Sequence, residues 1–387
     1  MRKSSARSTI AVAAVVAAIT AVTASSASAS QPRSTEDALG ADHAVFVQTD
    51  SLTGNSVIAY HRSNSGALTW VGTYATGGLG GVARSAPLDS LASQGSLTLD
   101  RQRGLLFAVN AGSDTLTEFA VYGSQLERRQ IIRTDGQFPV SVSVHGDLVA
   151  VLNAGGTGSV TVFYLAGEHL SRVPGGHENL GLSNTNPPLF ITAPAQVGFD
   201  RGGRHLIVTT KLNSSILVFG VRPNGSLTDA VSNASAGAVP FSFVIDSFGH
   251  LVVTEAGGST TSTYRIRPNG TLETMTASVP DGGTALCWNA NAAGFVFGAN
   301  AGAGTISSYR TDSAGGLVLT QAIAASTDAG PIDLAAADHG HLLYVQDAVA
   351  GEVQGFSVNS DGTLTLVTTV TGLPAFAGAG MEGLTAA

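Results

Sequence analysis

The 387-residue sequence has one cysteine, Cys287, so no disulfide can form within a single chain. Cys287 lies in the apolar string TALCW, where a buried inert thiol is expected rather than a nucleophile. Charge is also scarce: charged residues make up 12% of the chain, 19 basic against 27 acidic, for a net charge of −8. A negative, lysine-poor chain lacks the phosphate-neutralising surface that nucleic-acid binding needs, so no nucleic-acid partner is expected. After residue 29 no stretch offers 18 uninterrupted apolar residues, and no membrane anchor is expected there. Long helix-forming runs are missing too. What the chain has instead is 48 glycines and 43% hydrophobic residues, arranged as short apolar runs between glycine-marked turns, the composition of an all-β protein.

The first 29 residues read as a cleavable export signal. Arg2, Lys3 and Arg7 form a basic start, Ile10 to Val22 is an apolar run too short to span a bilayer comfortably, and Ala27-Ser28-Ala29 fits a small-residue cleavage site. Their loss would leave a formal charge of −11 and a secreted, extracellular chain. Residues 30–42 are polar and read as a flexible leader. A single domain is expected over 43–387.

That domain is built on a repeat. Apolar strands end at Gln48, Asn110, Asn153, Thr210, Glu255, Asn300 and Asp347, seven reference positions at intervals of 62, 43, 57, 45, 45 and 47. A period near 45 with several strands per unit is the signature of propeller blades. After each reference residue a polar turn leads to a strand that ends near an aromatic: Tyr60, Phe119, Phe163, Phe219, Tyr264, Tyr309 and Phe356. In five copies the separation is nine residues. Asn-Gly and Asp-Gly turns, as in PNGSLTDA from Pro223 and SDGTLTLV from Ser360, then begin an outer strand. A short apolar run before each reference strand supplies the inner one, except in the first unit. The last residues, Met381 to Ala387, resemble an inner strand. The expectation is therefore an all-β, seven-bladed β-propeller of four-stranded blades whose ring is closed by the C-terminal strand, leaving no free edge at the seam. Two stretches exceed the period, Gly77 to Gly95 with Arg84 inside it and His177 to Pro194, and such insertions often carry binding function.

Seven blades, a missing first inner strand and insertions before the second and fourth inner strands resemble the lactonase-type propellers, the family of propeller-type 6-phosphogluconolactonases and carboxymuconate-lactonizing cyclases; single units also resemble bacterial YVTN-like repeats. The resemblance covers essentially Asp42 to Ala387. It implies a lactone or cyclic carboxylate at one channel mouth, with cationic groups facing the developing oxyanion and an acid or base beside it. Glu255, in VVTEAGG, matches the family's acid. Positions where the family places His or Arg read Ala195 or Gln196, Phe241 with Ser242, and Ala301.

Glu255 is thus the catalytic candidate, and its other reading is a carboxylate capping turn amides at a strand end. Arg84, His177 and Asp347 are the ligand-binding candidates, with His43 a further titratable group; each has a bland reading as a solvated or turn-capping residue. No metal or other cofactor is expected: no His/Asp/Glu cluster has ligand spacing, and GGLGG at Gly77 to Gly81 has neither the lysine nor the following helix of a phosphate loop. Two function classes remain open. One is a non-catalytic or divergent propeller binding a small molecule, glycan or protein at the channel mouth, expected to be monomeric; the other is a lactone hydrolase or cycloisomerase.

Overall fold

The computed structural model describes residues 42–167 and 169–387; the expected export signal and nearly all of the expected leader lie outside them. The described chain forms seven four-stranded antiparallel sheets. In blades 2 to 7 four consecutive strands run from the axis outward, an inner, a second, a third and an outer one. In blade 1 the inner strand is Leu384–Ala386, paired with Val45, Phe46 and Val47. The ring is closed by the C-terminus, as the sequence implies, and the seal is extended by backbone hydrogen bonds from Gln48 to Gly383 and from Ala387 to Ala44.

The second strands are buried along their whole length except at Leu148 in blade 3, for example LLFAVN (Leu105–Asn110) and HLIVTT (His205–Thr210), because each packs between two neighbouring sheets. Near-continuous apolar runs rather than alternation are the sequence form of that environment. Outer strands alternate instead, as in Leu364–Thr371, since one face meets solvent. The apolar clusters lie where consecutive blades meet: Phe46, Leu106 and Phe119 between blades 1 and 2, Ile207, Phe243 and Tyr264 between 4 and 5, Trp288, Phe297 and Val345 between 6 and 7. The seven repeat aromatics are all buried at these contacts. Tyr344 adds a polar tie, its hydroxyl donating to the Gly66 carbonyl across the seam at 2.8 Å.

Five inner strands shift register just after they begin, between Pro139 and Ser141, Pro194 and Gln196, Pro240 and Phe243, Leu286 and Trp288, and Ile332 and Leu334. Such bulges bend a strand and re-aim its side chains. Reference residues and inner-strand starts share one face of the ring, here called upper, because those residues pair directly (Pro139 with Asn153, Pro240 with Glu255, Leu286 with Asn300, Pro331 with Asp347).

Candidate functional site

The reference side chains belong to a repeated clamp. Asn110 donates to the hydroxyls of Thr115 and Thr117, Asn153 to Ser159, and Asn300 to Ser307 and to the carboxylate of Asp281. A glycine from the preceding loop lies over each. A Cβ built on Gly78, Gly136, Gly237 or Gly283 would come within 2.2–2.4 Å of Asn110, Asn153, Glu255 and Asn300 respectively, so only glycine fits.

Glu255 occupies this clamp in blade 5, wholly buried. Its Oε1 accepts from the Gly237 N–H at 2.7 Å, Ser262 at 2.7 Å, Ser235 at 3.2 Å and Tyr264 at 3.3 Å. Its Oε2 accepts from Thr260 at 2.5 Å and Ser278 at 3.2 Å. All six donors are neutral and come from its own blade or the loop leading into it. The carboxylate stands where other blades have asparagine, but five of its six donors are hydroxyls and one, Gly237, is a backbone amide.

In blade 7 the clamp gathers three acidic residues. Asp347 takes the reference position, Glu352 pairs with it across the turn, and Asp328 stands three residues before the inner strand, where blades 3, 5 and 6 have glycine. Gln354 donates to Asp328 at 3.0 Å. Neither oxygen of Asp347 has a donor in good geometry. Burial, reinforced by Glu352 and Asp328 with the Thr327 hydroxyl a minor counterweight, pushes its carboxyl up to about 8.

Arg84, His177 and His43 lie in three different settings. Arg84 is exposed; its guanidinium reaches Thr185 at 3.4 Å and its backbone bridges to Leu189, so it joins the two inserted loops to each other. His177 belongs to the outer strand of blade 3, His169–Asn179, which runs three residues past the point where the insertion was expected to begin. Its Nδ1 is 3.0 Å from the Thr161 hydroxyl, and burial, with Arg172, lowers its pKa. His43 stands at the start of a second strand, on the lower face, with its ring 6.2 Å from His61.

The segment Ser90 to Ser96, the end of the first insertion and the residue after it, does what sequence reasoning missed: it closes the upper end of the channel. Ser90 donates to the Gly380 carbonyl, Ser93 to the Val140 carbonyl and the Glu382 carboxylate, and Ser96 to the Glu382 carbonyl. Gln94 bonds the backbone N–H and C=O of Asn289 on the far side, and Trp288 Nε1 donates to the Ser93 carbonyl. Behind it sits a buried polar group. Lys211 Nζ donates to the Ala92 carbonyl at 2.5 Å and lies 5.0 Å from the ring centres of Phe190 and Phe241. Burial lowers its pKa to about 8 despite Asp89, Cys287 and Glu382. Glu382 accepts from Leu91 N at 2.5 Å, and burial followed by Asp89 holds its carboxyl well above the usual range. Asp89 is raised by the same burial. The sequence signal for Lys211 was its rarity, one of two lysines in the chain.

Below this plug the channel opens as an axial cavity of about 330 Å³ lined by inner strands. Its walls mix apolar side chains, Leu99, Val144, Phe199, Phe243 and Ile245 among them, with the neutral polar groups of Gln94, Thr98, Ser143, Gln196 and Thr385, and its one ionisable lining residue is Asp333. Asp333 sits in the bulge of its inner strand with φ +50°, a backbone state that a non-glycine residue holds only when its surroundings impose it. The N–H groups of Leu334 and Leu384 donate to it at 3.0 and 2.8 Å. Burial outweighs them and pushes its carboxyl up to about 7. Among the described residues no group of three or more His, Cys, Asp or Glu is disposed to hold a metal ion, and no helix is long and apolar enough to cross a membrane.

The fold is a seven-bladed propeller with a cavity on its axis. No family profile matches the sequence, and no curated protein is similar to it in sequence. Solved structures are similar in fold. A Pseudomonas aeruginosa periplasmic gluconolactonase superposes with a TM-score of 0.67 at 17% identity, covering 88% of this chain and 98% of that one. A provisional 6-phosphogluconolactonase of Bacteroides fragilis gives 0.65 at 16% identity over 91% and 99% of the two chains. A second, from Bacteroides uniformis, gives 0.65 at 15% identity over 85% and 97%.

Proposed function

We propose that this chain is an exported, lactonase-like propeller that binds a small organic molecule in the axial cavity and does not use Glu255 for chemistry. The observation that carries this reading is the state of Glu255: six neutral donors occupy its oxygens and Gly237 covers it. None of those contacts is the cationic donor that a developing oxyanion requires. The axial cavity, by contrast, is open and of the size of small-ligand sites. Export is supported by the amino-terminal signal pattern and is in keeping with the periplasmic gluconolactonase among the structural relatives.

The test is a thermal-shift and calorimetric panel of uncharged lactones, sugar acids and organic amines against wild type, Glu255→Gln and Ser143→Phe, the last filling the cavity from its wall. Ligands found with wild type should bind Glu255→Gln unchanged and Ser143→Phe not at all. Binding that survives in folded Ser143→Phe, or fails in folded Glu255→Gln, refutes the reading. Lactone hydrolysis above the spontaneous rate that disappears in Glu255→Gln would establish the enzymatic alternative.

A further inference from the structure

The cavity's charge pattern narrows the chemistry of its ligand. It contains no lysine, arginine or histidine, its one ionisable group is Asp333, and the rest of its wall combines aliphatic and aromatic side chains with the neutral polar groups of Gln94, Thr98, Ser143, Gln196 and Thr385. The glutamines that line it are engaged: Gln94 bonds Asn289, and Gln196 bonds both backbone groups of Phe243 at 2.7 and 3.1 Å. The Thr98 hydroxyl is engaged as well, donating to the Val142 carbonyl at 2.7 Å. Phosphate or carboxylate entering this space would lose its hydration, meet no cation and face a carboxyl group. An organic cation meets the complementary arrangement, a carboxylate at one end and the rings of Phe199 and Phe243 along the wall.

We propose that the axial cavity is a site for a small organic cation with an apolar body, an amine or quaternary ammonium, whose charge is matched by Asp333. The proposal rests on the cavity being the ligand site. Asp333 is suited to the task because its bulged, left-handed backbone re-aims a position that would otherwise follow the strand's alternation. Its two N–H donors fix the carboxyl without neutralising it. Of the ionisable groups around the channel, one acts on it directly. Asp89, in the inserted loop above, raises its pKa further. Arg101 lies below on the rim, its guanidinium turned onto the Ala336 and Ala386 carbonyls. His145 packs on Phe199 with ring centres 5.8 Å apart.

Three molecules of nearly one shape and different charge test this: choline, 3,3-dimethylbutan-1-ol and 3,3-dimethylbutanoate, titrated calorimetrically into the full chain. Choline should bind at least tenfold more tightly than the alcohol, and the anion should not bind. Choline carries no titratable proton, so its affinity should rise from pH 6 to pH 8 as Asp333 ionises, while that of the alcohol stays flat. Asp333→Asn should bring choline and alcohol within twofold and abolish the pH dependence. The wild-type pH profile decides the matter if that variant does not fold. Equal affinities for all three, or preference for the anion, overturn the cation assignment and leave the cavity as a site. No binding of any of the three at millimolar concentration overturns both.

Discussion

Replacing Glu255 separates a structural carboxylate from a catalytic one. In Glu255→Ala the Ser262 and Tyr264 hydroxyls, both buried, and the Gly237 N–H lose their common acceptor. Hydrogen bonds to a charged group contribute about 1.5–3 kcal/mol each, and some of these donors can turn to other acceptors. Adding the void left by the missing side chain gives a loss of about 4–5 kcal/mol. Unfolding entropy of about 2 cal/mol/K per residue makes 1 kcal/mol worth about 1–2 °C in a domain of this size, so Tm should fall by about 6 °C. Glu255→Gln keeps an oxygen for Gly237 and Ser262 and turns an amide toward Thr260 and Ser278, whose hydroxyls can rotate to accept. Its cost should be about 1–2 kcal/mol, or about 2 °C. Differential scanning calorimetry gives the ranking, and ligand titration at 25 °C, where all three proteins are folded, gives function. A Glu255→Gln protein as stable as wild type that has lost ligand binding or lactone turnover would show that the carboxylate acts on a ligand and that the clamp reading is wrong.

Other perturbations follow from the same geometry. Gly283→Ala puts a methyl 2.2 Å from Asn300 Oδ1 and should cost about 2 kcal/mol or more in urea unfolding, whereas Gly54→Ala, with nothing within 4 Å, should be near neutral. Asp347 has its pKa raised to about 8. The folded chain therefore holds this proton more tightly than the unfolded one, and the stability it confers is complete below about pH 4 and is lost as pH rises to about 8. Asp347→Asn should flatten that part of the decline in stability between pH 5 and 9; an unchanged slope would refute the assignment. Deleting residues 381–387 removes the inner strand of blade 1, buried Met381 and the Glu382 contacts; circular dichroism and size-exclusion chromatography should show loss of the native ring.

Much of the ring was legible because its signals are local. The reference residues, the aromatics nine positions on and the Asn-Gly turns each recur within one unit, and the inner-strand character of the C-terminus could be matched to a gap in the first. The site was less legible for a specific reason. Glu255 stands out among asparagines as a difference in side-chain type, but its role is fixed by donors at Ser235, Gly237, Ser262 and Ser278, which only the folded blade assembles. Asp333 reads as one more residue of an apolar strand until the bulge reorients it. Lys211, Asp89 and Glu382 are far apart in sequence and share no motif; burial alone brings them together.

The plug between Ser90 and Ser96 also bears on the order in which the molecule assembles. A chain of similar units with contacts only between neighbours can form piecemeal and fray from its ends. Here one short segment is fastened to residues 140, 195, 289, 380 and 382, so its bonds are complete only when distant blades are already in place. Closing so many long loops at once is slow and entropically costly. The result is a hub that couples the fates of blades 1, 2, 3, 4 and 6, and partial rings lacking any of these should not persist as populated states.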